Sequence, residues 1–483
     1  MMKPYPAYKS SGVVWIGEIP ERWEVKRLKW VLTEPLKYGA NEVAELDDPA
    51  NPRYIRITDF DGDGKLRDDT FKSLPTEIAK EFYLKEGDVL FARSGATVGK
   101  TFQFKNYKGK ACFAGYLIKA SPNENELLSD FLYNYTRSNS YDNWKNSIFN
   151  QATIQNIGAD KYEVLPLVIP PLPEQHAIAR YLDDKTKKID ALIEMKQRLI
   201  EFLKEQRTAI INQAVTKGIN PNVPARQSAA FRHAGVKMKD SGIEWLGEIP
   251  EHWEVKRLKH CTMLVNGYAF DSNGYIADGI PIVRIGDIKS KMDLTEAKRV
   301  PKSLLHELKS FQVKKDDILL ALTGATIGKS SVYDLDEPAL LNQRVAIIRP
   351  STGMQQRFLK YVIGSELFTR HIDYECFGGA QENIGKPEVG SFVLAFPPLQ
   401  EQATITAFLE DHTGRIDDSV LTAEKHIALL QEYRTALISE VVTGKIDVRE
   451  QVQYKELEEK EWLLAESQRR NTKQEAQMIN PKG

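Results

Sequence analysis

The sequence predicts a mixed α/β protein, α+β in class. It is built as a tandem repeat of two globular domains, each followed by a long helix, with the two helices pairing as a coiled coil. Three observations carry this. Residues Lys9–Lys29, KSSGVVWIGEIPERWEVKRLK, match Lys239–Lys259, KDSGIEWLGEIPEHWEVKRLK, at 16 of 21 positions. Residues Pro170–Val215 match Pro397–Val442 without a gap at 19 of 46 positions, and both copies carry an apolar stripe. Between these blocks lie short apolar runs bounded by glycine and charge, the pattern of buried strands.

Taken in order, each domain opens on its Trp-rich block and continues into short strands. The runs Asp88–Ala92, Tyr116–Ala120, Asp317–Leu322 and Arg344–Arg349 read as strands, and Leu127–Thr136 and Gln356–Ile363 as short helices. The duplication persists through small anchors. Ile55-Arg56-Ile57-Thr58-Asp59 answers Val283-Arg284-Ile285-Gly286-Asp287. Gly95-Ala96-Thr97-Val98-Gly99-Lys100 answers Gly324-Ala325-Thr326-Ile327-Gly328-Lys329, and Asn156-Ile157-Gly158 answers Asn383-Ile384-Gly385. The intervening stretches diverge, so the chain is a repeat of roughly 230 residues.

The long helices start after Pro170-Pro171-Leu172 and Pro397-Pro398-Leu399, because proline is tolerated before a helix and not within one. Glu174-Gln175 and Glu401-Gln402 follow. Ile178, Leu182, Ile189, Ile193, Ile200, Leu203, Ile210 and Ile211 then match Ile405, Leu409, Ile416, Val420, Ile427, Leu430, Leu437 and Ile438. Spacings of three, four and seven make one seam on each helix. About 42 residues span roughly 63 Å, far beyond an average helix of about 11–12 residues. Such a seam needs a partner, and the other copy supplies it. Gly218 to Met238 has no period and reads as the linker. The tail beyond Val448 is charged, with a short helical pattern at Glu456–Glu466.

Composition bounds the function. The 483 residues are 42% hydrophobic and 28% charged, with a net charge of −1, an ordinary balance for a globular protein. A simple basic nucleic-acid binder is excluded, though local basic faces are not. No run of 18 apolar residues marks a membrane helix, and Met1–Ser11 lacks a signal-peptide core. The three scattered cysteines, Cys112, Cys261 and Cys376, form no metal spacing and suit a reducing cytoplasm.

The glycine turns look like phosphate-binding loops but are one residue short of G-x-x-x-x-G-K-[ST] in both copies. A glycine hairpin that turns a strand is the better reading. Trp15, Trp23, Trp245 and Trp253 either stack on bases or anchor the core, and packing is the commoner use. Arg56 and Arg284, each followed three residues later by Asp, read equally as internal ion pairs or as phosphate and guanine contacts. There is no Asn-Pro-Pro-Tyr-like methyltransferase motif, no HExxH and no nuclease carboxylate cluster. The sequence shows no chemistry of its own.

The block Ser241-Gly242-Ile243-Glu244-Trp245-Leu246-Gly247-Glu248-Ile249-Pro250 with Trp253 resembles the specificity (S) subunit of type I restriction-modification systems. So do its N-terminal copy, Gly324-Ala325-Thr326-Ile327-Gly328, and Pro397-Pro398-Leu399 with Glu401-Gln402, again in duplicate. The resemblance covers about Tyr8 to Val448. It implies two target-recognition domains in a pseudo-twofold repeat, residues 1–169 and 239–396. They are separated by antiparallel spacer helices, residues 170–217 and 397–447, with a linker at 218–238 and a tail at 448–483. It further implies a non-catalytic, cytoplasmic subunit that reads a bipartite, asymmetric site on double-stranded DNA. Its implied partners are two modification (methyltransferase) subunits and the motor/endonuclease restriction subunits. S-adenosylmethionine, ATP and magnesium belong to those partners and no cofactor to this chain.

The candidate DNA-contacting residues are Arg56, Arg93, Lys100, Arg284, Lys329 and Arg344. Base readout falls in the divergent stretches, near Asn41–Pro52, Asp61–Lys72, Asn106–Lys110, Lys289–Lys302 and Asp334–Gln343. The competing reading is a coiled-coil scaffold that joins proteins and binds no DNA. The second helix departs from the first at Gly414, where the first has Lys187. Glycine costs about 1 kcal/mol in a helix interior, which admits a kink.

If the helices space the domains, inserting four residues after Gln197 is a direct test. It adds about 6 Å and about 40° beyond a full turn. One base pair adds about 3.4 Å and about 34°. The variant is expected to keep both half-sites and lengthen the spacer between them by one base pair, read by sequencing its methylated sites. An unchanged spacer would show that the helices do not set the distance.

Overall fold

The computed structural model describes residues 3–61, 64, 66–149, 156–219, 236–289, 292–376 and 383–452. The linker residues 220–235 and the tail from 453, with its helical pattern at Glu456–Glu466, lie outside the described residues. The chain divides into two compact units: Met1–Lys196 with Lys425–Gly483, and Gln197–Glu424. This cuts across the linear boundaries. Each unit holds one globular domain together with part of each long helix.

The helices run Leu172–Lys217 and Leu399–Val442, both starting just past the proline pairs as expected. The second is continuous through Gly414, where an added Cβ would meet nothing within 4 Å. Gly414 therefore costs helix propensity without ending the helix.

In the first unit a four-stranded antiparallel sheet takes the order Lys37–Tyr38, Leu117–Ala120, Val89–Ala92, Thr101–Gln103. Val89 pairs with Ala120, and side chains alternate between two cores. Val89 and Phe91 join Ile118 and Ala120 in the main core, while Leu90 and Ala92 join Leu117 in a second one. Burial on both faces explains why these strands read as unbroken apolar runs. The second core also takes Ile55 and Phe113, from the parallel pair Arg53–Ile55 and Ala111–Phe113.

Lys119 sits in this sheet, buried, with Nζ 2.7 Å from Glu34 and 3.9 Å from Asp88. Its hydrogen bond holds Glu34 below the usual carboxylate range, whereas burial pushes Asp88 up.

The second unit repeats the plan. Its sheet order is Thr262–Asn266, Val345–Pro350, Ile318–Ala321, Ser330–Val332, with Ile318 opposite Ile348. Ile280–Val283 and Ala339–Leu341 form the parallel pair. In place of Lys119, Arg349 reaches the buried Asp317 at 2.5 and 2.6 Å.

Each domain is closed by antiparallel pairing of an early strand with its last. Glu24–Arg27 meets Pro166–Ile169 in the first unit, and Glu254–Arg257 meets Val393–Phe396 in the second. This delivers the last strand beside a fully buried tryptophan, Trp23 or Trp253.

There the Glu-Gln pair at each helix start has its role. Trp23 Nε1 donates to Glu174 at 2.9 Å, and Trp253 Nε1 to Glu401 at 2.9 Å. Gln175, fully buried, donates to the carbonyls of Glu126 and Pro170 and accepts from the Leu128 N–H. Gln402 does the same with Gly353, Pro397 and Gln355. A buried amide must be satisfied in this way.

The same tryptophans receive the end of the other helix. Gly444, at φ +72°, lies so close to Pro20 and Trp23 that a Cβ would stand 2.3 Å from Pro20 Cδ. Gly218, at φ +70°, meets Trp253 likewise, at 2.9 Å. Left-handed backbone and close approach both demand glycine.

Within each unit the two helices run antiparallel. In the first, Glu174 faces Arg449 at 3.7 Å and Asp190 pairs with Arg434 at 3.0 Å. In the second, Arg207 pairs with Asp417 at 2.9 Å. Asp190 and Asp417 are the same repeat position, as are Arg207 and Arg434. Each Asp therefore finds the Arg of the opposite copy. The globular domains add matching bonds: Asn139 N–H donates to Ser439 Oγ at 2.8 Å, and Glu366 N–H to Asn212 Oδ1 at 3.1 Å. The expectation that each helical seam is filled by the other helix was too narrow. Ile178, Leu182 and Ile189 share one core with Trp23, Phe131 and Leu167 as well as with Leu437, Ile438 and Val441. Ile211, Ile405 and Leu409 share another with Trp253, Phe358 and Leu394.

Trp23→Phe keeps the ring and removes the N–H, leaving the largely buried Glu174 short of one donor. It is expected to cost about 1–3 kcal/mol in the denaturant midpoint. Trp253→Phe should cost less, since the Glu401 side chain is 41% exposed and also held by His252.

Candidate nucleic-acid interface

The structure shows an internal ion pair at Arg56. Its Nε and Nη2 lie 3.2 and 2.8 Å from the two oxygens of Asp59, and Nη2 also donates to the Thr70 carbonyl at 2.8 Å. Asp59 is fully buried and accepts the Arg56 backbone N–H at 2.7 Å. Arg284 repeats this more loosely: its N–H donates to Asp287 at 2.9 Å and Nε lies 3.5 Å away. The carboxylate in each case caps a short turn and the guanidinium is turned back onto it. The geometry supports the internal pair at both positions.

The glycine turns are hairpin turns, as expected. Gly95–Thr97 forms a single 3-10 turn joining Val89–Ala92 to Thr101–Gln103. Its amides serve the hairpin itself: Val98 donates to Gly95, Gly99 to Ala92 and Lys100 to Thr97. Gly324–Thr326 repeats every one of these bonds through Ile327, Gly328 and Lys329. Gly95 and Gly324 have φ of +79° and +67° with open space around them, so conformation alone calls for glycine. Lys100 and Lys329 follow the turns and are exposed in both units.

Beside each hairpin the same neighbours assemble. Asn156 bridges to Ser94, and the Ile157 N–H donates to the Arg93 carbonyl at 2.8 Å. Asn383 bridges to Thr323, and the Ile384 N–H donates to the Leu322 carbonyl at 2.9 Å. A second turn lies against the strand end, with the Arg93 N–H donating to Tyr116 and the Leu322 N–H to Arg344, each at 3.0 Å. The Arg93 guanidinium lies 5.0 Å over the Tyr38 ring, whose hydroxyl accepts the Ala159 N–H.

Arg93 and Lys100 thus gather at one sheet end of the first unit, and Lys329 and Arg344 at the matching end of the second. Arg93 and Arg344 are not counterparts: Leu322 stands where Arg93 does, and Tyr116 where Arg344 does. Tyr38 and Tyr116 were missed among the candidates, whereas Gln343 closes the divergent stretch Asp334–Gln343. The duplicated Asn156-Ile157-Gly158 was the signal beside them, but an anchor triplet does not say which loop it bridges. Of the divergent stretches, Asn41–Pro52, Asn106–Lys110 and Asp334–Gln343 are described throughout. Asp61–Lys72 and Lys289–Lys302 are described only in part. Of the other two tryptophans, Trp15 is partly buried against the first core, and Trp245 stacks on Phe392 with centroids 5.6 Å apart.

Among the described residues there is no cluster of three or more His, Cys, Asp or Glu able to hold a metal ion. No helix among them is long and apolar enough to cross a membrane. The model of the type I restriction modification DNA specificity domain matches residues 20–201 and again 250–422. The chain belongs to that family. Both matches take in the globular domain as well as the helix, which disfavours the scaffold reading. The type I restriction enzyme MjaVIII specificity subunit of Methanocaldococcus jannaschii is 26% identical over 440 residues, 89% of this chain and 94% of that protein. The EcoKI specificity subunit of Escherichia coli K12 is 22% identical over 449 residues, 89% of this chain and 90% of that protein. A solved chain described as "Structural basis underlying complex assembly and conformational transition of the type I R-M system" superimposes with a TM-score of 0.66. It is 16% identical and covers 89% of this chain and 99% of its own, so the likeness is one of fold.

Arg56→Ala leaves a buried carboxylate without its main cation. It is expected to lower stability by about 1–3 kcal/mol and to leave the salt dependence of DNA binding unchanged. Lys100→Ala and Lys329→Ala should do the reverse, keeping the melting temperature and reducing the salt slope by about one unit each. A salt slope that moved with Arg56 would restore its reading as a phosphate contact.

Proposed function

We propose that this chain reads a bipartite, asymmetric target on double-stranded DNA, one half-site per globular unit, and brings partner subunits to it. The observation that carries the reading is the repeated scaffold with unlike surfaces. The two sheet ends share their backbone bonds but present Arg93 and Tyr116 in one unit and Arg344 in the other, where Leu322 at the Arg93 position is buried in the core. Identical surfaces would read the same sequence twice; unlike ones read two different sequences. Lys100 and Lys329, present in both, suit phosphate contacts that position the duplex without reading it. Arg93 and Arg344 suit base contacts.

Two modification subunits dock on the long helices in this reading. Leu192, Met195, Leu429 and Tyr433 in the first unit, and Leu199, Phe202 and Leu421 in the second, are each more than 40% exposed. Large apolar side chains left in water at helical spacing mark a protein interface. Motor/endonuclease restriction subunits join that assembly. Methyl transfer and cleavage belong to the partners, which hold S-adenosylmethionine, ATP and magnesium, and this chain contributes no catalytic group. The complex works in the cytoplasm. A net charge of −1 accords with partners that supply much of the phosphate neutralisation.

Exchanging Tyr8–Pro166 for the same segment of a relative, with the modification subunit co-expressed, tests the proposal. Mapping methylated sites should show one half-site replaced and the other kept. Two altered half-sites would defeat the modular reading, and methylation without any sequence motif would return the chain to the scaffold class.

A further inference from the structure

At the sheet end of each unit, one turn has the same backbone and unlike side chains. In the first unit it is Ala114-Gly115-Tyr116-Leu117, in the second Asn342-Gln343-Arg344-Val345. The Ala114 N–H donates to Ile55, Leu117 to Ala114, Gly115 to Ala40, and Arg93 to Tyr116, at 2.7–3.0 Å. The copy repeats all four: Asn342 to Val283, Val345 to Asn342, Gln343 to Tyr268, and Leu322 to Arg344, at 2.9–3.0 Å. These bonds fix the turn from both sides, so its tip residues are presented on a rigid base.

Tyr116, Gln343 and Arg344 at the tips are not the residues a surface turn needs. Turns in water favour Gly, Asn, Asp, Ser and Pro for their backbone chemistry. Here Tyr116 leaves a large ring 64% exposed, and Gln343 and Arg344 are both exposed. Among the described residues the Arg344 guanidinium has no hydrogen-bond or ion-pair partner, unlike Arg56 and Arg349, whose forks meet carboxylates. Across the intervening strand stand the exposed lysines that both units keep. A constant cation beside a variable, rigidly held tip is the division of labour that DNA reading requires, phosphate for position and base edge for sequence.

We propose that these tips, Gly115-Tyr116 and Gln343-Arg344, are the base-reading elements of their units, and that Arg344 takes a guanine in the half-site of the second. Its fork matches the O6 and N7 acceptors of guanine in the major groove, and the Gln343 amide matches N6 and N7 of an adjacent adenine. Tyr116 reads differently, by laying its ring against a base edge such as a thymine methyl. This inference rests on the DNA-reading function proposed above and assigns it to two residues per unit.

The test is selection of bound duplexes from a randomised library by the full chain in complex with its modification subunit. The wild-type complex is expected to enrich a two-part motif; no motif at all would overturn the proposed function and this inference with it. Arg344→Gln should lower the preference for guanine at one base pair of one half-site by roughly tenfold or more, with the melting temperature and the other half-site unchanged. Tyr116→Ala should relax only the opposite half-site. A wild-type motif that survives Arg344→Gln intact, or affinity that falls evenly across all sequences, would overturn the inference while leaving the DNA-reading function in place. The even fall would make Arg344 a phosphate contact.

Discussion

A buried indole holds each unit together. In the first unit Trp23 donates to the helix that follows its own domain, through Glu174, and packs against Gly444 at the end of the helix that follows the other domain. Trp253 does the same with Glu401 and Gly218. A helix start and a helix end therefore meet on one side chain. The antiparallel packing, the crossed Asp–Arg pairs and the sharing of seam residues with the domain cores all follow from that placement. Removing the indole would loosen two helices at once, and this is why the Trp block and the Glu-Gln block remain duplicated while the residues between them drift.

Drift inside the cores shows how little identity the scaffold needs. Asp88 and Asp317 are equivalent buried carboxylates. The first is attended by Ser121 and Lys119 from a neighbouring strand, and the second by Arg349. The requirement is for a donor or cation near a buried charge, and position within the strand is free to vary. The turns at the two sheet ends obey the opposite rule: their backbone bonds are kept to within a few tenths of an ångström while their side chains differ.

Much of the architecture was legible in the sequence. The proline pairs gave both helix starts, the apolar runs gave the sheet strands, and the exact duplication gave the repeat. What stayed hidden were contacts between residues far apart in the chain. Periodicity placed Ile178 and Leu182 on a seam but could not say that the seam is shared with Phe131 and Leu167. Glu174 lies 151 positions from Trp23, so the purpose of the Glu-Gln motif could not be read from spacing. At the candidate interface, sequence supplied Arg93, Lys100, Lys329 and Arg344. It missed Tyr38 and Tyr116, because an isolated tyrosine carries no pattern until the fold shows it left in water. The ion pairs of Arg56 and Arg284 with Asp59 and Asp287 became visible only in the geometry.

The two units differ in how they are assembled from the chain. The second is a single uninterrupted stretch, Gln197–Glu424. The first is split, and its missing piece comes last: Leu437, Ile438, Val441 and Val442 complete its core, and the Asp447 N–H donates to the Lys3 carbonyl at 2.9 Å. On a ribosome, domains ordinarily fold in the order in which they emerge. Here the first domain must wait, with the seam of its helix and one side of Trp23 uncovered, until the second helix has been made. Its surface is sealed by the final turns of the second helix, so a translation product stopped short of them would hold a finished second half and an unfinished first.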